Sequence, residues 1–463
     1  MSVTVEPASF RDPSGFVFYR DGILYRQVRQ SYRTHYDLLM QSGLYSDLAA
    51  AHLLIAHTED PVESAAAEDA YRVLRPERLV LISYPYEWCF SQLQDAALLT
   101  LDVQKRALNA GMWLKDASAY NVQFSNGKPI LIDTLSFERY DEGGPWAAYR
   151  QFCQHFLAPL ALMSRTDVRL NTLLRTHIDG IPLDLASRLL PRTTWLQPGL
   201  LAHIHLHGAA QKRFASEQQK VPDVSARISR TAVLGLIDSL ETTVRALKWN
   251  PAGTTWADYY ANTNYTDAAM KAKQESVRTL LGRIAPAPAS VWDLGANTGL
   301  FSRVAAAQGA QTVAWDMDPA AVEQNYLECR RNGATKVLPL LGDLTNPSPA
   351  LGWALTERQS LLDRGPVSLI LALALVHHLA IGNNVPLSRI AAFFADLAEW
   401  AIVEFVPKSD SQVQRLLRSR EDIFDNYTQE GFEAAFQRRF NLIEVLPLPE
   451  SERSLYLMQA HGR

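Results

Sequence analysis

Cysteine is scarce in this sequence, and the few thiols form no pattern. The 463 residues include three cysteines, Cys89, Cys153 and Cys329, with no C-x-x-C pair among them. Disulfide-framed domains and zinc sites need paired or closely spaced thiols. The sequence therefore predicts three buried thiols in a reducing compartment, and no disulfide scaffold or metal site.

Long apolar runs and a basic leader are also missing. The longest apolar run, Leu369 to Val376, is too short to span a bilayer. Residues Met1 to Phe10 lack the basic region followed by an apolar one that marks a signal peptide. We expect a soluble, cytoplasmic protein without a membrane span.

The chain carries no large excess of charge. Its formal net charge is −4 and 20% of its residues are charged, so the composition gives no electrostatic reason to expect a nucleic acid or an anionic membrane as partner. With 47% hydrophobic residues, the chain is long enough for two or three domains, each with its own core.

One short stretch, Val291 to Gly299, places an acid and two glycines at the end of an apolar run. The run predicts a buried strand, and Leu300 to Ala307 predicts a helix. A glycine turn between them exposes backbone N–H groups and admits a ligand where a Cβ would clash. The pattern D-x-G-x-N-x-G begins with an acid, unlike the G-x-G-x-x-G of dinucleotide enzymes. An acid repels a pyrophosphate but can bind an ammonium group, which favours S-adenosylmethionine. The loop residues are Asp293, Gly295, Asn297 and Gly299.

The pattern of elements divides the chain in two. The polar stretch 211–227 predicts a linker between an α+β domain at 1–215 and a second domain at 226–463. A helix at Thr231 to Trp249 opens the second domain as an entry segment. In its core, 286–463, strands alternate with helices, which predicts an α/β, doubly wound sheet. Its last two strands are expected to form an antiparallel pair.

Residues 286–463 resemble the class I S-adenosylmethionine-dependent methyltransferases, whose first motif is the glycine loop. The resemblance implies a Rossmann-like fold and gives roles to acids at three successive strand ends. Asp293 would hold the methionine part, Asp316 would accept both ribose hydroxyls, and Asp343 would contact the adenine amine.

Residues next to these acids are also given expected roles, as cofactor contacts or as a helix cap. Met317 and Leu344, which follow the second and third acids, are candidate cofactor contacts. Asp318 is instead expected to cap the helix that begins at Pro319.

Two histidines, His377 and His378, follow the fourth strand at the edge where open α/β sheets bind ligands. A neutral imidazole there could take a proton from a hydroxyl or amine as it attacks the methyl carbon. A structural or cofactor-edge role fits the sequence equally well. Glu404, at the end of the fifth strand, is a further candidate for the pocket.

The methyl acceptor is not named by the sequence. The catalytic Asn-Pro-Pro-Tyr of DNA and protein-amide methyltransferases is absent, so O- or N-methylation of a small molecule or a glycan-like compound is favoured. The whole chain also resembles bacterial nodulation host-specificity methyltransferases. A binding or scaffold protein that senses the cofactor is the alternative, and a nicotinamide oxidoreductase is disfavoured by Asp293.

The first half contains Asp116 and Asn121 in a D-x-x-x-x-N spacing, followed by Asp133 at a strand end. This resembles the catalytic loop and metal-binding aspartate of the protein-kinase-like fold over residues 75–140. The resemblance makes Asp116 a base and the other two metal ligands. The glycine-rich loop and V-A-I-K lysine of kinases are missing. Three interpretations remain open, namely a hairpin turn with an Asp cap, a kinase-like fold without phosphoryl transfer, and an active kinase.

The sequence also predicts local structure at four places in the N-terminal domain. A hairpin is expected to turn at Asp21-Gly22, a helix at Ser64 to Leu74, and a strand at Leu79 to Ile82. His203, His205 and His207 alternate, which would place all three on one side of a strand, whereas on a helix they would fan apart. Because no fourth ligand stands nearby, a structural role is favoured for them.

Overall fold

The protein forms two compact units in this computed structural model, which describes residues 3–209, 228–251, 267–418 and 420–462. Unit 1 comprises Met1–Asn250 and Gly352–Arg358, and unit 2 comprises Pro251–Leu351 and Gln359–Arg463. The linker predicted at 211–227 lies outside the described residues.

Unit 1 begins with an antiparallel sheet, in which the described strands lie in the order β1-β2-β3-β5-β4. Asp21 and Gly22 join β2 to β3 with φ values of 51° and 78°, as a two-residue hairpin turn requires. The predicted hairpin is confirmed. The strands are β1 (Val3–Val5), β2 (Gly15–Arg20), β3 (Ile23–Arg29), β4 (His57–Glu59) and β5 (Ala70–Pro76).

Two of the local predictions for this region were wrong. The helix predicted at Ser64 to Leu74 is replaced by β5, which pairs antiparallel with both β3 and β4. The strand predicted at Leu79 to Ile82 is irregular. Pairing with strands distant in sequence overrides the local helical spacing.

The rest of unit 1 is mainly helical, with two short antiparallel strand pairs. The pairs are β6 (Met112–Leu114) with β9 (Phe137–Arg139) and β7 (Val122–Ser125) with β8 (Lys128–Leu131). The α-helices are α1 (Arg33–Gln41), α2 (Leu44–Ala50), α3 (Phe90–Asn109), α4 (Tyr149–Phe152), α5 (Ala158–Arg165), α6 (Leu173–Thr176), α7 (Leu183–Leu189), α8 (Pro198–Leu200) and α9 (Arg230–Ala246).

Helix α9 corrects the predicted place of the entry segment. The sequence assigned this helix to the second domain, but it belongs to unit 1, which extends to Asn250. The Gln94 side chain of α3 donates to the carbonyl oxygens of Val244 and Leu247 at 2.8 and 2.9 Å. Lys105 of α3 also pairs with Glu241 at 2.5 Å. The amphipathic face of α9 is therefore buried against α3.

The Gly352–Arg358 segment brings two charged side chains into unit 1. Glu357 accepts two hydrogen bonds from the guanidinium of Arg11, at 2.8 and 2.7 Å. The Arg358 guanidinium lies over the ring of Tyr120, 4.0 Å from its centre. Charged and aromatic contacts thus hold this late segment of the chain in the first unit.

Unit 2 is built on a sheet whose described strands lie in the order β12-β11-β10-β13-β14-β16-β15. The first five are parallel, and β16 is antiparallel to both β14 and β15. The strands are β10 (Ser290–Leu294), β11 (Gln311–Asp316), β12 (Val337–Leu341), β13 (Val367–Ala372), β14 (Ala398–Phe405), β15 (Phe440–Pro447) and β16 (Ser454–Ala460). The helices are α10 (Asp267–Gly282), α11 (Leu300–Ala307), α12 (Pro319–Asn332), α13 (Leu387–Leu397), α14 (Ser411–Leu417) and α15 (Gln429–Phe436).

This is the doubly wound, Rossmann-like sheet that the sequence predicts, with its antiparallel terminal pair. The strand order reverses between β10 and β13, and ligands bind such sheets at the carboxyl edge beside a reversal. Val291 of β10, Leu369 of β13 and Ile402 of β14 are buried in one apolar cluster with residues of α10 and α11. This packing holds β10 and β13 in place, so the loops that follow these two strands meet at the carboxyl edge of the sheet.

None of the helices in the described parts of the chain is long and apolar enough to cross a membrane.

Candidate functional site

The glycine loop after β10 has the backbone that its sequence predicts. Gly295, Asn297 and Gly299 have φ values of 75°, 50° and 76°, in the left-handed region that glycine and asparagine tolerate best. The N–H groups of Gly295 and Ala296 both donate to the carbonyl oxygen of Trp315 at 2.9 Å. A Cβ on Gly299 would lie 2.3 Å from the Asn325 side chain, so only glycine fits there.

Asp293 lies at the end of β10 and is buried. Its carboxylate accepts a hydrogen bond from the Ser302 hydroxyl of α11 at 2.6 Å. Burial raises the pKa of Asp293 to about 6, and the nearby Asp316 carboxylate adds to the rise, whereas the Ser302 bond and the positive charge of Lys273 oppose it. A cationic ligand beside Asp293 would favour its ionised form.

Asp316 ends β11, the neighbouring strand. Its carboxylate accepts hydrogen bonds from the backbone N–H groups of Asn297, at 2.7 Å, and Asp318, at 2.8 Å. Burial raises its pKa to about 6, against the lowering effect of these bonds. Each carboxylate oxygen has two lone pairs, so both oxygens keep capacity for hydroxyl donors.

The helix cap predicted at Asp318 is confirmed. Its side chain accepts hydrogen bonds from the N–H groups of Ala320 and Ala321 at 2.8 and 3.3 Å. Asp318 is therefore engaged in starting α12.

Asp343 follows β12 and is half-buried. It accepts hydrogen bonds from the backbone N–H and the hydroxyl of Thr345, at 2.8 and 2.6 Å. Leu344 is half-buried, and Met317, after Asp316, is 62% exposed. Parallel register places Asp316 beside Leu341 and Leu294 beside Trp315, so the three acids share one edge of the sheet.

His377 and His378 follow β13, and their ring centres are 4.1 Å apart. Burial lowers the pKa of His378 to about 4 and that of His377 well below its usual range. Within the described residues, Nδ1 of His377 has no hydrogen-bond partner. Both imidazoles are neutral at pH 7, and a base with so low a pKa is weak.

Glu404 belongs to a buried ionic network. The sequence identifies Glu404 as a candidate for the pocket but does not identify its partners. Glu404 pairs with Lys273 of α10 at 2.5 Å and with Arg453 at 3.2 Å, and Arg453 pairs with Asp410 at 2.8 Å. Lys273 and Arg453 have no local signal, because their partners are 131 and 49 residues away in sequence.

A cavity of about 540 Å³ lies in unit 2, close in sequence to His378. Ala380, in the π-helical turn His378–Gly382, is part of its wall. Volumes of this size are typical of small-molecule sites. Its apolar wall residues include Val385, Leu387 and Phe424, and its polar ones include Asn384, Asn426 and Arg438.

In unit 1, the candidate residues Asp116, Asn121 and Asp133 converge. The Asn121 amide donates to the Ser136 hydroxyl at 3.2 Å, and this hydroxyl donates to Asp133 at 2.5 Å. Burial raises the pKa of Asp116, helped by the negative charge of Asp133 and opposed by hydrogen bonds that include the Asn121 side chain.

Arg26 of β3 occupies the other side of this cluster. Its guanidinium pairs with Asp133 and with Asp12, both at 2.7 Å. In the parts of the chain that the structure describes, no group of three or more His, Cys, Asp or Glu side chains is placed to hold a metal. Asp133 is thus ion-paired with Arg26 and hydrogen-bonded to Ser136.

The three alternating histidines lie on a π-helical turn, Leu201–Leu206, and its continuation, so the helical alternative applies and the strand alternative does not. His203 bridges the hydroxyls of Tyr149 and Ser239, both at 2.8 Å. His205 bridges those of Ser187 and Thr194, at 2.7 and 2.9 Å. These contacts are consistent with the structural role favoured from the sequence.

No family model matches the chain. Among solved structures, the bifunctional kinase-methyltransferase WbdD matches with a TM-score of 0.30 and 17% identity over 44% of this chain and 41% of that one. Magnesium protoporphyrin IX methyltransferase (ChlM) from Synechocystis PCC 6803, with bound SAH, matches with a TM-score of 0.32 and 15% identity over 44% of this chain and 92% of that one. The chain thus spans less than half the length of WbdD.

The curated relative is nodulation protein NoeA of Rhizobium meliloti (strain 1021). It is 35% identical over 468 residues, which cover 97% of this chain and 95% of the relative. With identity sustained along nearly the whole of both proteins, the chain belongs to the family of nodulation protein NoeA.

Proposed function

We propose that the chain is an S-adenosylmethionine-dependent methyltransferase whose cofactor binds at the carboxyl edge of the unit 2 sheet. One observation carries the proposal: Asp293, Asp316 and Asp343 end three neighbouring parallel strands around the glycine loop. A cofactor made of an amino acid, a ribose and an adenine offers each acid a different donor group.

The loop and the acids fit such a ligand. Gly295 has no side chain to obstruct a ligand, and Asp293, buried with a raised pKa, gains a partner from an ammonium group. Asp316, held by two backbone N–H groups, is oriented to accept ribose hydroxyls. Met317 and Leu344 flank the nucleoside, and Asp343 is assigned to the adenine amine.

When bound, the cofactor would supply a methyl group activated by its sulfonium: an oxygen or nitrogen of the acceptor would bond to the methyl carbon in line as the carbon–sulfur bond breaks and S-adenosylhomocysteine leaves. The residues of this chain contribute mainly position, since aligning two reactants removes a large entropic barrier. His377 and His378, kept neutral by burial, can accept a hydrogen bond from the acceptor's O–H or N–H and orient it. A pKa of about 4 for His378 favours this orienting role over strong general-base catalysis.

The acceptor class is proposed from the cavity whose wall includes Ala380, two residues after His378 in sequence. We assign O- or N-methylation of a small-molecule or glycan-like compound that combines an apolar part with hydrogen-bonding groups. The mixed apolar and polar wall supports this choice, and the net charge of −4 gives no support for nucleic acid.

The test begins with titration calorimetry of the full chain against S-adenosylmethionine, S-adenosylhomocysteine and NADH. We expect the first two to bind and NADH not to bind. Incubation with labelled cofactor and metabolite extracts should then transfer label to a compound that purification identifies. Binding of NADH alone, or of none of the three, would contradict the proposal.

A second candidate function is assigned to unit 1. Its kinase-like cluster has Asp133 already paired with Arg26 at 2.7 Å, which favours a recognition module that presents or caps the acceptor and does not transfer phosphate.

A further inference from the structure

Glu404, at the end of β14, is completely buried and lies between two cations. One oxygen accepts from Lys273 at 2.5 Å, and the other accepts from Arg453 at 3.2 Å. Both cationic side chains are only 4% exposed. A carboxylate in such a place is costly to bury unless its hydrogen bonds are well formed.

The same carboxylate also holds a backbone group of the neighbouring strand's loop. The N–H of Ala374 donates to the Glu404 oxygen that Lys273 contacts, at 2.8 Å. Ala374 has a φ of 49°, in the left-handed region that residues with a Cβ rarely adopt. Such a backbone persists only where its surroundings determine it, and the Glu404 bond is one determinant.

The segment beginning at Ala374 reaches both halves of the proposed site. The Leu375 side chain lies over Gly295, since a Cβ on that glycine would be 3.3 Å from Leu375 Cδ1. His377 and His378 come two and three residues later. In the segment that Glu404 holds, Leu375 therefore lies against the glycine loop, and His377 and His378 follow it.

We propose that Glu404, held by Lys273 and Arg453, is a positioning residue that sets the Ala374–His378 segment against the glycine loop. By holding Ala374, it places Leu375 beside the methionine end of the cofactor. The same backbone sets the position of the two histidines. This inference rests on the proposed function, because it assigns the methionine end of the cofactor to Gly295.

The test compares ligands that reach different parts of the site. S-adenosylmethionine and S-adenosylhomocysteine carry the amino acid part, whereas adenosine lacks it and depends on the Asp316 and Asp343 side. In Glu404→Gln, one amide oxygen replaces a carboxylate that accepts from three donors. We expect the dissociation constants of the two larger ligands to rise about tenfold. That of adenosine should change less than about twofold, a difference of less than 0.5 kcal/mol.

Two further variants separate position from charge. Glu404→Asp keeps the negative charge but shortens its reach to Ala374, so it should show the same selective loss and serves if Glu404→Gln does not fold. Asp410→Asn is the matched control. It changes a partner of Arg453, keeps an oxygen for the helix cap at Gln412, and leaves the Glu404–Ala374 bond intact, so wild-type affinities are expected.

Hydrogen exchange supplies a readout of the segment itself. Residues 373–378 should exchange faster in both Glu404 variants, while the interiors of β13 and β14 keep their protection. Equal losses for adenosine and S-adenosylmethionine, or wild-type affinities in Glu404→Asp, would overturn the positioning role. If the wild-type chain binds no S-adenosylmethionine, the proposed function fails first, and this inference fails with it.

Discussion

The backbone N–H of Asn297 donates a hydrogen bond of 2.7 Å to the carboxylate of Asp316. This bond joins the glycine loop after β10 to the end of β11, the strand next to it. Asn297 has a left-handed backbone, with a φ of 50°, and belongs to the turn of the glycine loop. The candidate ribose acceptor is thus oriented by the loop that is proposed to hold the methionine part.

Replacing Asp316 tests the ribose assignment. Asp316→Ala removes an acceptor for two desolvated hydroxyls and the partner of Asn297, so S-adenosylmethionine should bind more weakly by roughly 1–3 kcal/mol. Calorimetry on the folded variant measures this. Asp316→Asn keeps one oxygen at the same position, so its affinity for S-adenosylmethionine should lie between those of the wild type and Asp316→Ala. Unchanged affinity in Asp316→Ala would remove Asp316 from the cofactor site.

Cofactor affinity should depend on pH in the range where the two buried acids titrate. Burial raises the pKa values of Asp293 and Asp316 to about 6, and both are proposed to act as ionised carboxylates. Above pH 6 they are mostly ionised, and below it protonation competes with ligand binding. Affinity should therefore fall by up to about tenfold per pH unit below 6 for each required carboxylate.

This prediction is checked by titrating S-adenosylmethionine at pH 7, 6 and 5. Asp316→Asn has one titrating group fewer and should show a shallower decline. An affinity that stays constant from pH 7 to 5 in the wild type would show that neither acid binds in its ionised form.

Gly295→Val should abolish cofactor binding while unit 1 stays folded. Gly295 has a φ of 75°, which a β-branched residue strongly disfavours, and the new Cβ would meet Leu375 at 3.3 Å. Gly282→Val is the control in the same unit, because a Cβ there meets nothing within 4 Å. Circular dichroism and calorimetry would measure folding and binding. Wild-type binding by Gly295→Val would mean that the loop does not contact the ligand.

Filling the unit 2 cavity should separate acceptor binding from cofactor binding. Ala435 of α15 is part of the cavity wall, so Ala435→Trp should occupy the space and reduce labelled methyl transfer at least about tenfold, a loss of about 1.4 kcal/mol. S-adenosylmethionine affinity should be unchanged. Gln437→Trp, exposed beyond the same helix, is the control for adding an indole. Full transfer by Ala435→Trp would place the acceptor elsewhere.

The parts of the site that the sequence predicts are those encoded locally. The D-x-G-x-N-x-G stretch encodes a strand end, a turn and a helix N-cap within the seven residues Asp293 to Gly299. The alternation of strands and helices implies that Asp316 and Asp343 share its edge. The Asp21-Gly22 turn is likewise local. Each pattern contains its own structural cause, so the neighbouring chain is not needed to interpret it.

The parts that the sequence does not predict depend on partners far away in the chain. Lys273 and Arg453 look like solvent-exposed charges until the fold brings them to Glu404. Ser64 to Leu74 has helical spacing, but β5 forms there because β3 and β4 offer it hydrogen bonds. The alternation of His203 to His207 matches a strand, although each imidazole is used separately on a π-helical turn. Tertiary contacts decide all three cases.

The last prediction concerns the cluster of Asp116, Asn121, Asp133 and Arg26 in unit 1. Arg26 pairs with Asp12 and Asp133 at 2.7 Å, and its side chain is 15% exposed. Arg26→Met keeps the apolar length but leaves two carboxylates without their cation. Unit 1 should lose about 1–3 kcal/mol of stability, measured by urea unfolding and by hydrogen exchange in β3. Arg29→Met is the matched control on the same strand, because Arg29 pairs with Asp69 at 3.4 Å and is 39% exposed. An exposed pair of this kind contributes less than about 1 kcal/mol.

The same cluster is expected not to transfer phosphate. Phosphoryl transfer depends on positioned phosphates and on charge neutralisation, and Asp133 is already engaged by Arg26, Ser136 and the N–H of Leu135. Purified protein with ATP and Mg²⁺ should therefore release or transfer no γ-phosphate above the background of Asp133→Ala. Equal stability of Arg26→Met and Arg29→Met would contradict the structural role of the ion pair. Turnover of ATP that disappears in Asp133→Ala would contradict the non-catalytic role, and unit 1 would then be a second enzyme in the same chain.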